Sequence, residues 1–366
     1  MTATPELIAP HTGQTVGPLD WHSDNQPLRL KSLPPFAADQ IHADDWSVWR
    51  YAAMLPVEKR ISLGEGGTPL VSTEIDGLAF HAKLEYLNPT GSYKDRGTVT
   101  LVNYLASLGV TEVVEDSSGN AGASLAAYAA AAGIKARIFV PASAPIGKKQ
   151  LIASFGAELV EIPGPRAAAT QALMEAVKTT VYASHAWNPL FITGQMTAAW
   201  EVWEQLGRRA PDAIVCAVGH GGLFLGFARG FRLLLEAGLI SRMPRLYAVQ
   251  SAACDPIVQA WERGLDHTEP LTQQATVADG IVVTQPVHGR EILATIRETN
   301  GAAFRVDDPA ILAARTALNQ RGLIVEPTSA VPVAALLRER GLIGNNQRIV
   351  VPLTGNGLKT LGQTAG

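Results

Sequence analysis

Short apolar runs of strand length alternate with segments of helical period along most of this 366-residue chain, and no other feature constrains its fold as strongly. Residues 113–115, 136–140, 158–162, 213–218, 246–249 and 348–353 read as buried strands, while residues 121–132, 197–206 and 309–320 carry helical spacing. Parallel neighbours need crossovers long enough for a helix, so the pattern predicts α/β architecture: two lobes of mostly parallel sheets flanked by helices. In such folds the chemistry sits in turns at the carboxyl ends of strands. The turns with unusual residues here are 88–97, 116–121, 219–222 and 354–359.

The first reads Asn88-Pro89-Thr90-Gly91-Ser92-Tyr93-Lys94-Asp95-Arg96-Gly97 and places Lys94 near the start of a helix. The partly positive helix end disfavours a lysine cation and leaves more of the free amine that imine chemistry needs. Taken singly, Lys94 also reads as a surface lysine beside Asp95 and Arg96. The second turn, Asp116-Ser117-Ser118-Gly119-Asn120-Ala121, joins a strand to an Ala-rich helix. Hydroxyls and free backbone N–H groups at a helix start suit a carboxylate, and they equally make an ordinary cap. Asn120 adds an amide able to reach a ring oxygen. The third turn, Gly219-His220-Gly221-Gly222, follows a strand and opens a helical segment at residues 223–235, where backbone N–H groups close around a phosphate. Gly219, Gly221 and Gly226 loosely imitate a dinucleotide fingerprint. The next strand ends in Gln250 and Ser251 rather than an acid for a ribose, so a nicotinamide cofactor lacks its second requirement. His220 reads as a polar filler or as a catalytic group. The fourth turn, Thr354-Gly355-Asn356-Gly357-Leu358-Lys359, offers a hydroxyl at the end of the last strand.

Composition narrows the partners. The chain is 47% hydrophobic and 17% charged with a net charge of −3, which gives no electrostatic reason to expect nucleic acid or an anionic membrane. A small-molecule substrate is expected. Cys216 and Cys254 lie far apart without metal-ligand spacing, so no metal site or disulfide framework is read, and a cytoplasmic setting is expected. No apolar run approaches the roughly 20 residues of a membrane span.

At these residues the chain resembles the fold type II pyridoxal 5′-phosphate (PLP) enzymes, the tryptophan synthase β-like family, and within it the threonine synthases. The pieces that carry the resemblance are Gly64-Glu65-Gly66-Gly67-Thr68-Pro69-Leu70, residues 88–97, Ser117-Ser118-Gly119-Asn120, Val325-Glu326-Pro327-Thr328-Ser329-Ala330 and residues 354–359. It implies that Lys94 holds PLP as a Schiff base, Asn120 meets the PLP 3′-oxygen, and Gly219, His220, Gly221 and Gly222 bind its phosphate. Thr354 would face the pyridine nitrogen, where a hydroxyl does not enforce a protonated ring. Ser117, Ser118 and Gly119 would hold the substrate carboxylate, and Lys148 a substrate phosphate. The implied organisation is an arm or degenerate ribbon at 1–62, a large PLP-binding domain at 63–94 and 187–366, and a small α/β domain at 95–186. The implied activity is elimination or replacement on a small amino acid such as O-phosphohomoserine, or ammonia-lyase action on serine or threonine, in a homodimer; a PLP-binding protein without catalysis is the rival from another class, against which intact Lys94, Asn120 and Thr354 argue.

Three departures qualify the resemblance. Residues 7–28 look like the family's amino-terminal ribbon but contain no Cys. The turns at 219–222 and Val277-Ala278-Asp279-Gly280-Ile281 lean toward the serine/threonine dehydratases. In Asn188-Pro189-Leu190-Phe191-Ile192-Thr193-Gly194-Gln195-Met196-Thr197, Phe191 stands where the family places an arginine for the substrate phosphate, and Thr193 where it places an acid.

Overall fold

The computed structural model describes residues 4–360 apart from Ser118, Pro145, Pro165 and residues 344–346. It divides into two compact units, Met1–Gly67 with Asn88–Gly194, and Thr68–Leu87 with Gln195–Gly366.

The first unit is built on a parallel four-stranded sheet in the order Val181–Tyr182, Glu112–Glu115, Lys135–Pro141 and Glu158–Ile162. Helices Asn120–Ala131, Ile146–Ser154 and Arg166–Val177 make the crossovers that parallel neighbours require. Val114, Phe139, Leu173 and Tyr182 form one of its apolar clusters. Helix Lys94–Ser107 is buried from Asp95 through Leu105, charged residues included. Ahead of it, His22–Ser23 pairs with Gln26–Pro27 across Asp24 and Asn25, both left-handed, as a two-residue hairpin turn demands. Trp21 fastens this ribbon by edge-on contacts with Tyr182 at 5.2 Å and Trp187 at 5.1 Å.

The second unit carries a six-stranded sheet in the order Ala302–Val306, Arg245–Ser251, Ala213–Ala217, Ile349–Pro352, Leu78–Lys83 and Leu70–Ile75. Only the last pairing is antiparallel. From Ala213–Ala217 the chain proceeds outward through two strands, then returns to Ile349–Pro352 on the other side. That reversal is the switch point at which open α/β sheets bind ligands. Beneath the sheet, fully buried Lys83 pairs with Glu201 at 2.6 Å and also donates to the Thr68 carbonyl and Gln205 Oε1.

The six expected strands occur within two residues of their expected limits. The helix expected at 197–206 instead begins at Pro189. Residues 190–196 are buried almost without exception, so tertiary packing rather than amphipathic period sets its start. Among the described residues, no helix is long and apolar enough to cross a membrane.

Candidate active site

In the first unit, Lys94 is the half-buried first residue of helix Lys94–Ser107. The loop before it is closed by Asp95, whose carboxyl accepts from the Thr90 N–H at 2.7 Å, the Thr90 hydroxyl at 2.6 Å and the Ser124 hydroxyl at 2.7 Å. Burial raises this carboxyl to about 6 despite the three donors. Upstream, the Gly66 N–H donates to Asn88 Oδ1 at 2.9 Å, and Glu65 accepts from the Leu63 N–H and the Tyr128 hydroxyl, each at 2.8 Å. The glycine stretch and the lysine loop, separate in sequence, are thereby fastened together. The lysine's own surroundings are aromatic: Nζ lies 4.8 Å from the Tyr93 ring centre and 5.7 Å from that of Phe191. Phe191 is buried against Gly97, where an added Cβ would come within 2.5 Å of the Phe191 carbonyl oxygen. Position 97 therefore requires glycine to bring the ring so close to the lysine helix.

The carboxylate-binding candidates lie at the carboxyl edge of the same unit's sheet. Ser117 is nearly buried, its Oγ accepts from the Gly119 N–H at 3.4 Å, and Asn120 opens helix Asn120–Ala131. Asp116 braces the turn by accepting from the Thr170 hydroxyl at 2.9 Å and the Tyr182 hydroxyl at 3.1 Å. Ser118 lies outside the described residues. Lys148 sits half-buried on helix Ile146–Ser154, which packs on Asn120–Ala131. One group was not anticipated from the sequence: Glu115, buried at the strand end, binds His185 Nδ1 at 2.8 Å. Burial and the neighbouring Asp116 push the Glu115 carboxyl well above its ordinary range.

In the second unit, Gly219, His220, Gly221 and Gly222 leave the carboxyl end of Ala213–Ala217 and enter the 15-residue helix Gly222–Glu236. Gly221 is left-handed, with φ of 96°, and a Cβ there would meet Ile292 Cδ1 at 2.5 Å. No side chain caps this helix from Gly221. His220 Nδ1 accepts from the Val287 N–H at 3.5 Å, a long contact that ties it to the turn's surroundings. Thr354 follows the parallel neighbour strand Ile349–Pro352, nearly buried, with its hydroxyl 3.1 Å from Ser329 Oγ. The Gly355 N–H donates to the same Ser329 oxygen at 2.8 Å, and Val325 bridges Asn356. Thr328 Oγ1 in turn accepts from the Gly280 N–H at 3.1 Å. Three motifs distant in sequence thus meet at one place, and Ser329 is the member whose role as anchor of Thr354 only the fold reveals.

These residues suit a phosphorylated pyridine cofactor. Three of the four residues of the turn at 219–222 are glycines at the start of a helix, as a phosphate cradle requires, His220 is the fourth, and a fixed neutral hydroxyl stands on the adjacent strand's turn. A model of the pyridoxal-phosphate dependent enzymes matches residues 61–355, and the chain belongs to that family. It is a threonine synthase-like, PLP-dependent lyase in sequence. It is 36% identical over 326 residues to a threonine synthase of Methanosarcina acetivorans, covering 86% of this chain and 80% of the relative. A threonine synthase of Mycobacterium bovis is 33% identical, over 90% of this chain and 92% of its own. Among solved structures, the processed form of threonine deaminase isoform 2 from Solanum lycopersicum is similar, with a TM-score of 0.69, 25% identity and coverage of 79% of each chain.

Proposed function

We propose that the chain performs PLP-dependent elimination or replacement on a small amino acid, with Lys94 and Asn120 of the first unit, and the Gly219 to Gly222 turn and Thr354 of the second, as the cofactor-binding residues that the family resemblance implies. The observation that carries this reading is the uncapped, left-handed glycine turn at the sheet's switch point, beside a buried hydroxyl on the neighbouring strand's turn. PLP, when bound, supplies an electron sink for charge developing at the substrate Cα. The chain's own residues do the rest. Lys94 would hold the cofactor through Nζ and, once the substrate amine has displaced it, would take the Cα proton on the freed Nζ. Backbone N–H groups of Gly221 and Gly222 would hold the phosphate, and Asn120 would be the partner of the 3′-oxygen. Thr354, fixed by Ser329, would serve the ring nitrogen without forcing a proton onto it. Ser117, Ser118, Gly119 and the adjoining helix end bind the substrate carboxylate, leaving Lys148 for a substrate phosphate.

The first reading of the reaction is threonine synthase-like, with O-phosphohomoserine as the type of substrate that the similar threonine synthases suggest. The second is serine/threonine ammonia-lyase action, favoured by Phe191: a buried phenyl ring supplies none of the bidentate donors that recognise a phosphate dianion. A panel of O-phosphohomoserine, O-phosphoserine, L-threonine and L-serine, followed by product release and cofactor absorbance, separates the two. No spectral change with any of them refutes lyase action. The same reading goes with a homodimer in the cytoplasm, a reducing setting to which two buried free cysteines are suited.

A further inference from the structure

Strands Glu112–Glu115 and Val181–Tyr182 are parallel neighbours, with Val113 opposite Val181 and Val114 opposite Tyr182. Their carboxyl ends release two turns side by side. One is the Ser117 to Asn120 turn assigned to the substrate carboxylate. The other, residues 183–188, carries His185 and leads into helix Pro189–Gln205. The Ala183 N–H, donating to the Val114 carbonyl at 3.0 Å, keeps the two turns in register. Glu115 holds His185 at two points: Nδ1 lies 2.8 Å from Oε1, and the backbone N–H donates to Oε2 at 3.3 Å. The imidazole stands edge-on to Phe191, with ring centres 6.0 Å apart, and Phe191 is the ring that neighbours Lys94 Nζ at 5.7 Å. A row of carboxyl, imidazole, phenyl and amine therefore runs from the sheet edge to the lysine, all within one unit.

Building on the second reading of this site, a PLP lyase acting on serine or threonine, we propose that His185, oriented by buried Glu115, determines specificity at the leaving-group end of the substrate. Together with Phe191 it selects an amino acid bearing a neutral hydroxyl over one bearing a phosphate ester. A phosphate dianion is recognised through cationic donors, best in bidentate geometry. In the Glu115–His185 pair the imidazole Nδ1 is committed to a buried carboxyl, so the pair does not present the fork of cationic donors that a phosphate dianion needs. Burial and Asp116 displace the Glu115 carboxyl upward, against the opposing influence of the His185 N–H and Lys94. Asp116 adds a further acidic group beside it, and the phenyl face adds no donor. A hydroxyl makes smaller demands: it needs only one donor or acceptor and tolerates an apolar wall.

The test compares kcat/KM of the PLP-loaded wild type, His185→Gln and Glu115→Gln for L-serine, L-threonine, O-phospho-L-serine and O-phosphohomoserine, with PLP content and thermal midpoint checked for each. The wild type should prefer the better hydroxy amino acid by about tenfold or more, and His185→Gln should lower that value about tenfold while changing the phospho compounds less than about twofold. Glu115→Gln should narrow the same ratio, and it carries the comparison where His185→Gln loses its cofactor. Equal losses for both classes would reveal a role in the scaffold alone and overturn the proposal, as would a wild type that prefers the phospho compounds. Absence of turnover with all four compounds counts against the lyase reading itself. Calorimetric binding of L-serine and O-phospho-L-serine then decides separately, with tighter L-serine binding in the wild type and a narrowed ranking in His185→Gln supporting the proposal and any other ranking overturning it.

Discussion

Replacing Asp95 by Asn removes the charge that closes the Lys94 loop while keeping the side chain's shape. In the fold this carboxyl titrates at about 6 rather than at its ordinary 3.8, chiefly because it is buried. A raised folded value means that the protonated form is favoured by folding: the contribution is complete below 3.8 and is lost as the pH rises through about 6. Ionising Asp95 inside the fold at pH 8 therefore costs about 3 kcal/mol relative to the unfolded chain. Asn escapes that cost but turns an amide N–H₂ toward groups that donate to Asp95, leaving a buried donor unsatisfied at a cost of roughly 1–3 kcal/mol. The two effects nearly cancel at pH 8. At pH 4.5 most of the wild-type cost has already vanished, so the variant's deficit should be larger there by about 2 kcal/mol. Urea unfolding of both proteins at the two pH values measures this. An equal deficit at both, or a larger one at pH 8, would refute the assignment of a buried, reluctantly ionised carboxyl to this loop.

Gly221→Ala forces a side chain into a left-handed position against Ile292 and should weaken PLP binding by about tenfold or more, read by equilibrium dialysis, through roughly 1–2 kcal/mol of backbone strain plus the clash. Lys83→Met strands the Glu201 carboxylate in the interior of the second unit and should cost about 3–5 kcal/mol in urea unfolding, with Lys83→Met/Glu201→Leu recovering much of the loss.

The alternation of apolar runs and helical segments made the parallel sheets legible because buried strands leave a continuous apolar signature. The two-residue strand Val181–Tyr182 and the antiparallel pair Leu70–Ile75 and Leu78–Lys83 escaped it, being too short or too polar in pattern to stand out. The turns at Lys94, Gly221 and Thr354 were readable because glycine, proline and hydroxyl residues mark such turns locally. What supports those loops was not. Asp95 reads in sequence as a surface acid beside Lys94, yet it is buried through partners at Thr90 and Ser124. His185 meets Glu115 across 70 residues, and Ser329 meets Thr354 across 25. Only strand pairing creates such contacts, and no local spacing announces them.

The covalent anchor of the cofactor is the claim on which the rest depends, and borohydride reduction of the PLP-loaded protein followed by peptide mass spectrometry tests it directly. Reduction converts an imine to a stable secondary amine, so the account predicts a pyridoxyl label on Lys94, absent from the unreduced control and from Lys94→Ala. A label on another lysine such as Lys83 or Lys148, or none with PLP in excess, would contradict it.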